Sequence, residues 1–296
     1  MKNLVLILWA LVLVSACNTA VDSPEKPLIS VSIIPQKYFI EQLAGDLVEV
    51  NVLIPPGASP ASYEPTVVQL GRLDQSELYM RIGYIGFEQS WMTKLSSVNT
   101  DMKIVDLSEG VDVRQEDPEN AEEQQGHSHD GHAHHGPDPH IWMSVINVRI
   151  LARNIHRELL LLLPGEKEFL QSRLMKFSSS LDSLHLAITN RLEAMENRKF
   201  MIYHPALSYY ARDYGLEQIS LEREGKSPSP AHLKTVADLA TEYRIDMILI
   251  QSQFDIDNAR IIARETGSRI IQFDPLDLNW SEQMYYIAEQ LNPAPR

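Results

Sequence analysis

One stretch limits the possible folds more than any other. Residues 165–198, "GEKEFLQSRLMKFSSSLDSLHLAITNRLEAMENR", place apolar side chains at 170, 174, 177, 181, 184, 188, 192 and 195. Steps of three and four mark an amphipathic helix, and no Pro or Gly interrupts it after Gly165. At about 1.5 Å per residue, about 30 residues span roughly 45 Å, more than one small lobe needs. Such a helix predicts a stiff connector between two bodies. Two shorter helices broken at Ser178–Ser180 are the alternative.

Strand and helix patterns alternate on both sides of this connector. Before it, "LISVSII", "VEVNVLIPPG", "LYMRIG" and "MKIVDLS" read as strands, with helices over "PQKYFIEQLAG" and "TVVQLGRLDQ" between them. After it, "KFMIYH", "IDMILIQSQ" and "SRIIQFDPL" read as strands, separated by "LSYYARDYG", "HLKTVADLATEY" and "DNARIIARETG". Alternation of this kind predicts parallel sheets covered by helices. The expected fold is α/β, with two Rossmann-like lobes, an N-terminal lobe over 28–165 and a C-terminal lobe over 199–296, joined by a helix over 166–198. The chain length of 296 residues and the 44% hydrophobic content suffice for two cores.

The N-terminus reads as an export signal. "MKNLVLILWALVLVSAC" has one lysine, an apolar run from Leu4 to Val14, and small residues before Cys17. The run is short for a membrane span and has the build of a signal peptide. "VSAC" resembles a bacterial lipobox, so 1–16 is expected to be cleaved and Cys17 to be lipidated, anchoring the body to a membrane surface without spanning it. Residues 17–27 read as a tether. Cys17 is the single cysteine, so the body has neither a disulfide nor a thiolate metal site. A net charge of −14 argues against nucleic acid as a partner.

Six of the ten histidines lie in "GHSHDGHAHHGPDPHIWMS", residues 126–144. They fall into two kinds. His127, His129, His132, His134 and His135 belong to 114–136, a Gly-, His- and acid-rich segment without apolar periodicity, which predicts a mobile loop. Imidazole suits zinc, copper and nickel, but a loop of this kind imposes no single geometry. His140 is different: Pro137 and Pro139 restrict its backbone, and a helix is expected to begin near Ser144. His204, in "IYHPA", and Asp274, in "FDPL", each follow a strand and precede proline. Ligands of α/β sheets gather outside the carboxyl ends of strands, and two histidines with a carboxylate suit zinc. Burial of His140 by Trp142, and a simple Asx turn at Asp274, are the competing readings.

"PPGASPASYEP", "DPHIWMS", "YHPALSYYARDYGL", "EGKSPSPAHL" and "FDPL" occur in this order. As a set they resemble the metal-binding solute receptors of bacterial zinc and manganese ABC transporters, the ZnuA/TroA-like family. The resemblance implies a metal in the interlobe cleft, held by His140, His204 and Asp274, and delivery to an ABC transporter membrane permease. It implies an extracytoplasmic lipoprotein of the bacterial cell envelope, expected here as a monomer. It departs at Ala61, where the family usually has histidine. The site then has either three protein ligands plus water, or a fourth ligand recruited from Glu64, Tyr63 or a histidine of the 127–135 loop. Gln251 also stands where relatives often carry an acid.

Two imidazoles, one carboxylate and the His-rich loop favour Zn2+; Mn2+, which prefers oxygen ligands, is the alternative cargo. A zinc-dependent hydrolase is the competing class, since two histidines, a carboxylate and an open position also describe a catalytic zinc. No "HExxH" helix supports it. An adhesin or a passive zinc buffer is the third class.

Overall fold

Alternate residues of each strand face opposite sides of a sheet, and the strands Leu28–Val31 and Met247–Gln251 are buried on both sides. The computed structural model describes residues 26–115, 136–222, 229–254 and 256–293. The signal peptide, Cys17 and His127, His129, His132, His134 and His135 lie outside them.

The first sheet contains β1 (Leu28–Val31), β2 (Glu49–Val52), β3 (Leu78–Arg81) and β4 (Lys103–Asp106). The second contains β5 (Lys199–Ile202), β6 (Glu217–Ser220), β7 (Met247–Gln251) and β8 (Arg269–Phe273). Their orders are β2-β1-β3-β4 and β6-β5-β7-β8, and every pairing is parallel. In both sheets the order of strand addition reverses between the first and third strands, β1 and β3 or β5 and β7. That is the switch point where α/β sheets open a crevice. The fold is therefore α/β with two four-stranded parallel sheets, as the alternation predicts.

The helices are α1 (Ile34–Ala44), α2 (Val67–Asp74), α3 (Gly86–Val98), α4 (Val145–Leu162), α5 (Lys167–Glu193), α6 (Ser208–Tyr214), α7 (Pro230–Glu242), α8 (Asp257–Thr266) and α9 (Trp280–Leu291). The expected strand over Leu28–Ile34 ends early, at Val31. Pro35 cannot donate to a ladder but suits a first helical turn, and Gln36 Oε1 accepts the Ser32 and Ile33 N–H groups, both at 3.0 Å. The helix α4 starts as expected, with Ser144 Oγ accepting the Asn147 N–H at 3.0 Å.

The connector α5 runs 27 residues without a break, about 40 Å. The serines do not interrupt it. Ser180 and Ser183 hydroxyls donate to the carbonyls of Phe177 (2.7 Å) and Ser179 (3.0 Å), inside the helix. The connector buries Leu170, Phe177, Leu181, Ile188 and Leu192 against α1, α4 and α9.

Strand parity divides the apolar surface. On the second sheet, Phe200, Ile202, Met247 and Leu249 face a core continuous with that of the first sheet. Met201, Tyr203, Ile248 and Ile250 face a separate core under α7 and α8. The shared core is closed by a clasp between the two halves of the chain. Trp142 Nε1 donates to the Pro275 carbonyl and Trp280 Nε1 to the Trp142 carbonyl, each at 2.8 Å.

The sequence reading passed over α3, since it buries only Phe87, Glu88 and Leu95. One of its core positions is a carboxyl group. Glu88 accepts the N–H groups of Ile82 (2.9 Å) and Gly83 (2.6 Å) and the Ser32 hydroxyl, which also bonds Tyr79. Gly83 has φ +106°, and a Cβ there would lie 3.1 Å from the Asp106 carboxylate. Burial pushes the Glu88 carboxyl up to about 7, against the lowering pull of its hydrogen bonds and of Arg81.

Folded Glu88 thus keeps its proton to about pH 7, while the unfolded chain releases it near 4.5. Stability present below pH 4.5 is lost as pH rises through 7, on the order of 3 kcal/mol in total. Glu88→Gln removes this loss. Urea melts are expected to show the variant gaining on the parent chain between these two pH values. Parallel stability profiles would refute the assignment.

Candidate metal centre

His140 precedes a 3-10 turn, Ile141–Met143, on the chain that enters α4. Asp138 sets its conformation. One Asp138 carboxylate oxygen accepts both the His140 N–H at 2.9 Å and the His140 Nδ1 at 2.8 Å. The other accepts the Ser208 hydroxyl. The Asp138 carbonyl accepts the Tyr209 hydroxyl at 2.9 Å, and Tyr209 in turn accepts the Arg114 N–H at 3.0 Å. A further tie, Asp138 N–H to the Arg114 carbonyl at 2.9 Å, sits beside an antiparallel bridge from Gln115 to Pro137. Burial tends to raise the Asp138 carboxyl, but the hydrogen bonds and charge of His140 and the bond from Ser208 outweigh it, and the net shift is downward.

His204 lies just beyond β5, at the switch between β5 and β7. Gln251, 1% exposed, holds its backbone. Gln251 Nε2 donates to the His204 carbonyl at 2.7 Å, and its Oε1 accepts the His204 N–H at 3.4 Å. A carboxylate could not donate the first of these bonds, so the amide at this position acts as a brace. The His204 Nδ1 meets Glu222 at 2.6 Å, and its ring stacks on Phe254, 5.1 Å between centres and 21° between planes.

The two rings come together across the chain. His140 and His204 stand 5.1 Å apart, centre to centre, edge to face. Zinc lies about 2.0–2.1 Å from an imidazole nitrogen and the ring centre about 1.1 Å further, so two rings sharing a tetrahedral ion stand about 5 Å apart. With Nδ1 of each ring directed at a carboxylate, Nε2 of each is the atom left for an ion. The side chains of His140 and His204 are 14% and 27% exposed, so the pair is reachable from solvent.

Asp274 follows β8 directly. Its Oδ1 accepts the Leu276 N–H and the Gln253 Nε2, both at 2.8 Å. The clasp from Trp142 to Pro275 ties the segment after His140 to the residue after Asp274. Among the described residues, no three His, Cys, Asp or Glu side chains are gathered into a group that could hold an ion as they stand. The structure thus pairs His140 with His204 and does not gather Asp274 or Glu64 with them. Glu64 is exposed. Ala61 lies against Gly86, where a Cβ would meet the Ala61 carbonyl at 3.1 Å, and the Pro60 carbonyl accepts the Phe87 N–H at 2.9 Å.

Asp138, Glu222 and Gln251 as braces escaped the sequence reading. For Asp138 a signal existed, because Asp two residues before His is an Asx-turn pattern. Glu222 is 18 positions from His204 and carries no local sign.

Comparison with known proteins agrees with this architecture. The zinc-binding lipoprotein AdcA of Streptococcus pneumoniae (strain ATCC BAA-255 / R6) is 26% identical over 291 residues, 94% of this chain and 56% of AdcA. The chain therefore spans little more than half the length of that relative. The manganese ABC transporter substrate-binding lipoprotein PsaA of Streptococcus pneumoniae serotype 4 (strain ATCC BAA-334 / TIGR4) is 25% identical over 281 residues, 89% of this chain and 85% of PsaA. A crystal structure of ZnuA superposes with a TM-score of 0.82 at 35% identity, over 90% of this chain and 98% of that one. The model of the ZnuA family, zinc-uptake complex component A periplasmic, matches residues 29–291, and the chain belongs to that family.

Proposed function

We propose that this chain is an extracytoplasmic receptor that captures Zn2+ and delivers it to an ABC permease. The observation that carries the reading is the separation of the His140 and His204 rings, 5.1 Å, which suits two imidazoles on one ion. Asp274 completes the ligand set in this reading, drawn in when the ion binds, and water or Glu64 takes the position that Ala61 leaves. The relatives named for zinc and for manganese both bear on the cargo, and the paired imidazoles favour Zn2+ over Mn2+. The protein is read as a monomeric carrier and not as a hydrolase. Calorimetry of the metal-free protein with zinc and with manganese tests this. One tight zinc site with weaker manganese binding is expected; turnover of ester or peptide substrates by the zinc-loaded protein would favour the hydrolase instead.

The reading assigns His127, His129, His132, His134 and His135 to an accessory store. Ordering a polar segment around an ion costs about 1–2 kcal/mol per residue fixed, which keeps its affinity below that of a site built on braced turns. Deletion of residues 126–136 is expected to lower the zinc stoichiometry while one tight site survives. A weakened tight site would instead identify a loop histidine as the missing ligand.

Membrane attachment rests on Cys17 in this reading. Cys17→Ser is expected to move the protein from the membrane fraction to the soluble one. An unchanged membrane-bound product would refute lipidation.

A further inference from the structure

The two imidazoles are held in the same way by residues far apart in the chain. Asp138 meets His140 Nδ1 at 2.8 Å, and Glu222 meets His204 Nδ1 at 2.6 Å. Both carboxylates are buried, with side chains 7% and 6% exposed. A carboxylate can only accept, so each Nδ1 carries the proton.

We propose that Asp138 and Glu222 are positioning residues that lock His140 and His204 in the Nδ1–H tautomer, presenting both Nε2 lone pairs to one ion before it arrives. The proposal rests on the reading of the pair as a metal site. A neutral imidazole has two tautomers, and only the one with a bare Nε2 can ligate through that atom. In the absence of a partner, histidine favours the opposite tautomer, with the proton on Nε2. Each unbraced ring would therefore have to move its proton and turn on binding.

The braces are anchored differently. Glu222 is carried by the strand-end segment beside its own histidine, with its N–H on the Tyr203 carbonyl at 2.9 Å. Asp138 is carried by the segment entering α4 but is oriented by Ser208 and Tyr209 of α6. His140 thus takes its orientation from the half of the chain that supplies His204. This couples the two ligands without direct contact between their backbones. The same hydrogen bonds also place negative charge behind each ring, which strengthens the imidazole as a donor.

The test is read first without metal. Long-range 1H–15N spectra of the apo protein at alkaline pH report the tautomer of each histidine. Nδ1–H is expected for both His140 and His204. In Glu222→Leu, His204 is expected to revert to Nε2–H while His140 stays unchanged; Asp138→Leu should give the mirror result. Zinc affinity is expected to fall roughly ten- to hundredfold in each. Glu222→Gln and Asp138→Asn keep the side-chain shape should a leucine variant fail to fold, and affinities between the parent and leucine values are expected for them. Nε2–H at His140 and His204 in the parent protein would overturn the proposal, as would leucine variants with the parent's tautomers or zinc affinity. A parent protein that binds no zinc would defeat the receptor reading instead, and the apo spectra are independent of that outcome.

Discussion

Replacing His140 and His204 together with alanine is expected to abolish tight zinc binding. Four-ligand zinc sites hold roughly 10–16 kcal/mol, so one imidazole accounts for about 3 kcal/mol, or more than a hundredfold in affinity. The proposed site has only two imidazoles, 5.1 Å apart, and the oxygen ligands proposed to complete it are weaker donors to zinc. Single substitutions are therefore expected to cost at least a hundredfold each. Acidification should weaken binding by the same route, since protons compete with the ion for imidazole. Each substitution also leaves a buried carboxylate, Asp138 or Glu222, without its ring partner, at a cost of about 1–3 kcal/mol, so denaturant titration is used to confirm that the variants are folded where binding is measured. Calorimetry on the double variant decides the matter. Undiminished zinc affinity would eliminate the pair as the site.

Loss of Trp280 is expected to have the largest effect on stability. It is 1% exposed, its ring meets Phe39 edge to face at 5.1 Å, and its Nε1 donates to the Trp142 carbonyl. Truncating a buried aromatic of this size costs about 3–5 kcal/mol. Part of that cost is the Trp142 carbonyl left without its donor, about 1–2 kcal/mol. Trp280→Phe keeps most of the ring contact and should cost only that smaller part. The consequence reaches the site, because Trp142 follows His140 by two residues and ties to Pro275 beside Asp274. Denaturant titration of both variants checks the ranking. A loss below about 1 kcal/mol in Trp280→Ala would show that the clasp does not hold the halves together.

Much of the architecture was legible in local pattern. The three-four spacing over Leu170–Leu192 is enough to specify a helix and its buried side, because helical periodicity depends only on near neighbours. The alternating strands and helices likewise specified two parallel sheets. His140, His204 and Asp274 stood out because proline beside a potential ligand is a feature of adjacent residues. The departures were equally local. Ala61 cannot ligate in any fold, and no arrangement of the backbone changes that.

The tertiary structure decided what depends on distant residues. It joined His140 to His204, and it left Asp274 and Glu64 outside any ion-holding group among the described residues. Gln251 read as a missing acid in the sequence and is a backbone brace in the fold, 47 positions from the residue it holds. Glu88 drew no reading from the sequence and is a buried acceptor for two strand-end N–H groups. Ser208 reaches Asp138 over 70 positions, and Trp280 reaches Trp142 over 138. The reason is physical. Hydrophobic period and turn chemistry are written in neighbouring residues. The partner of a buried polar group is set by the packing of whole elements, which only then brings together side chains that share no local pattern.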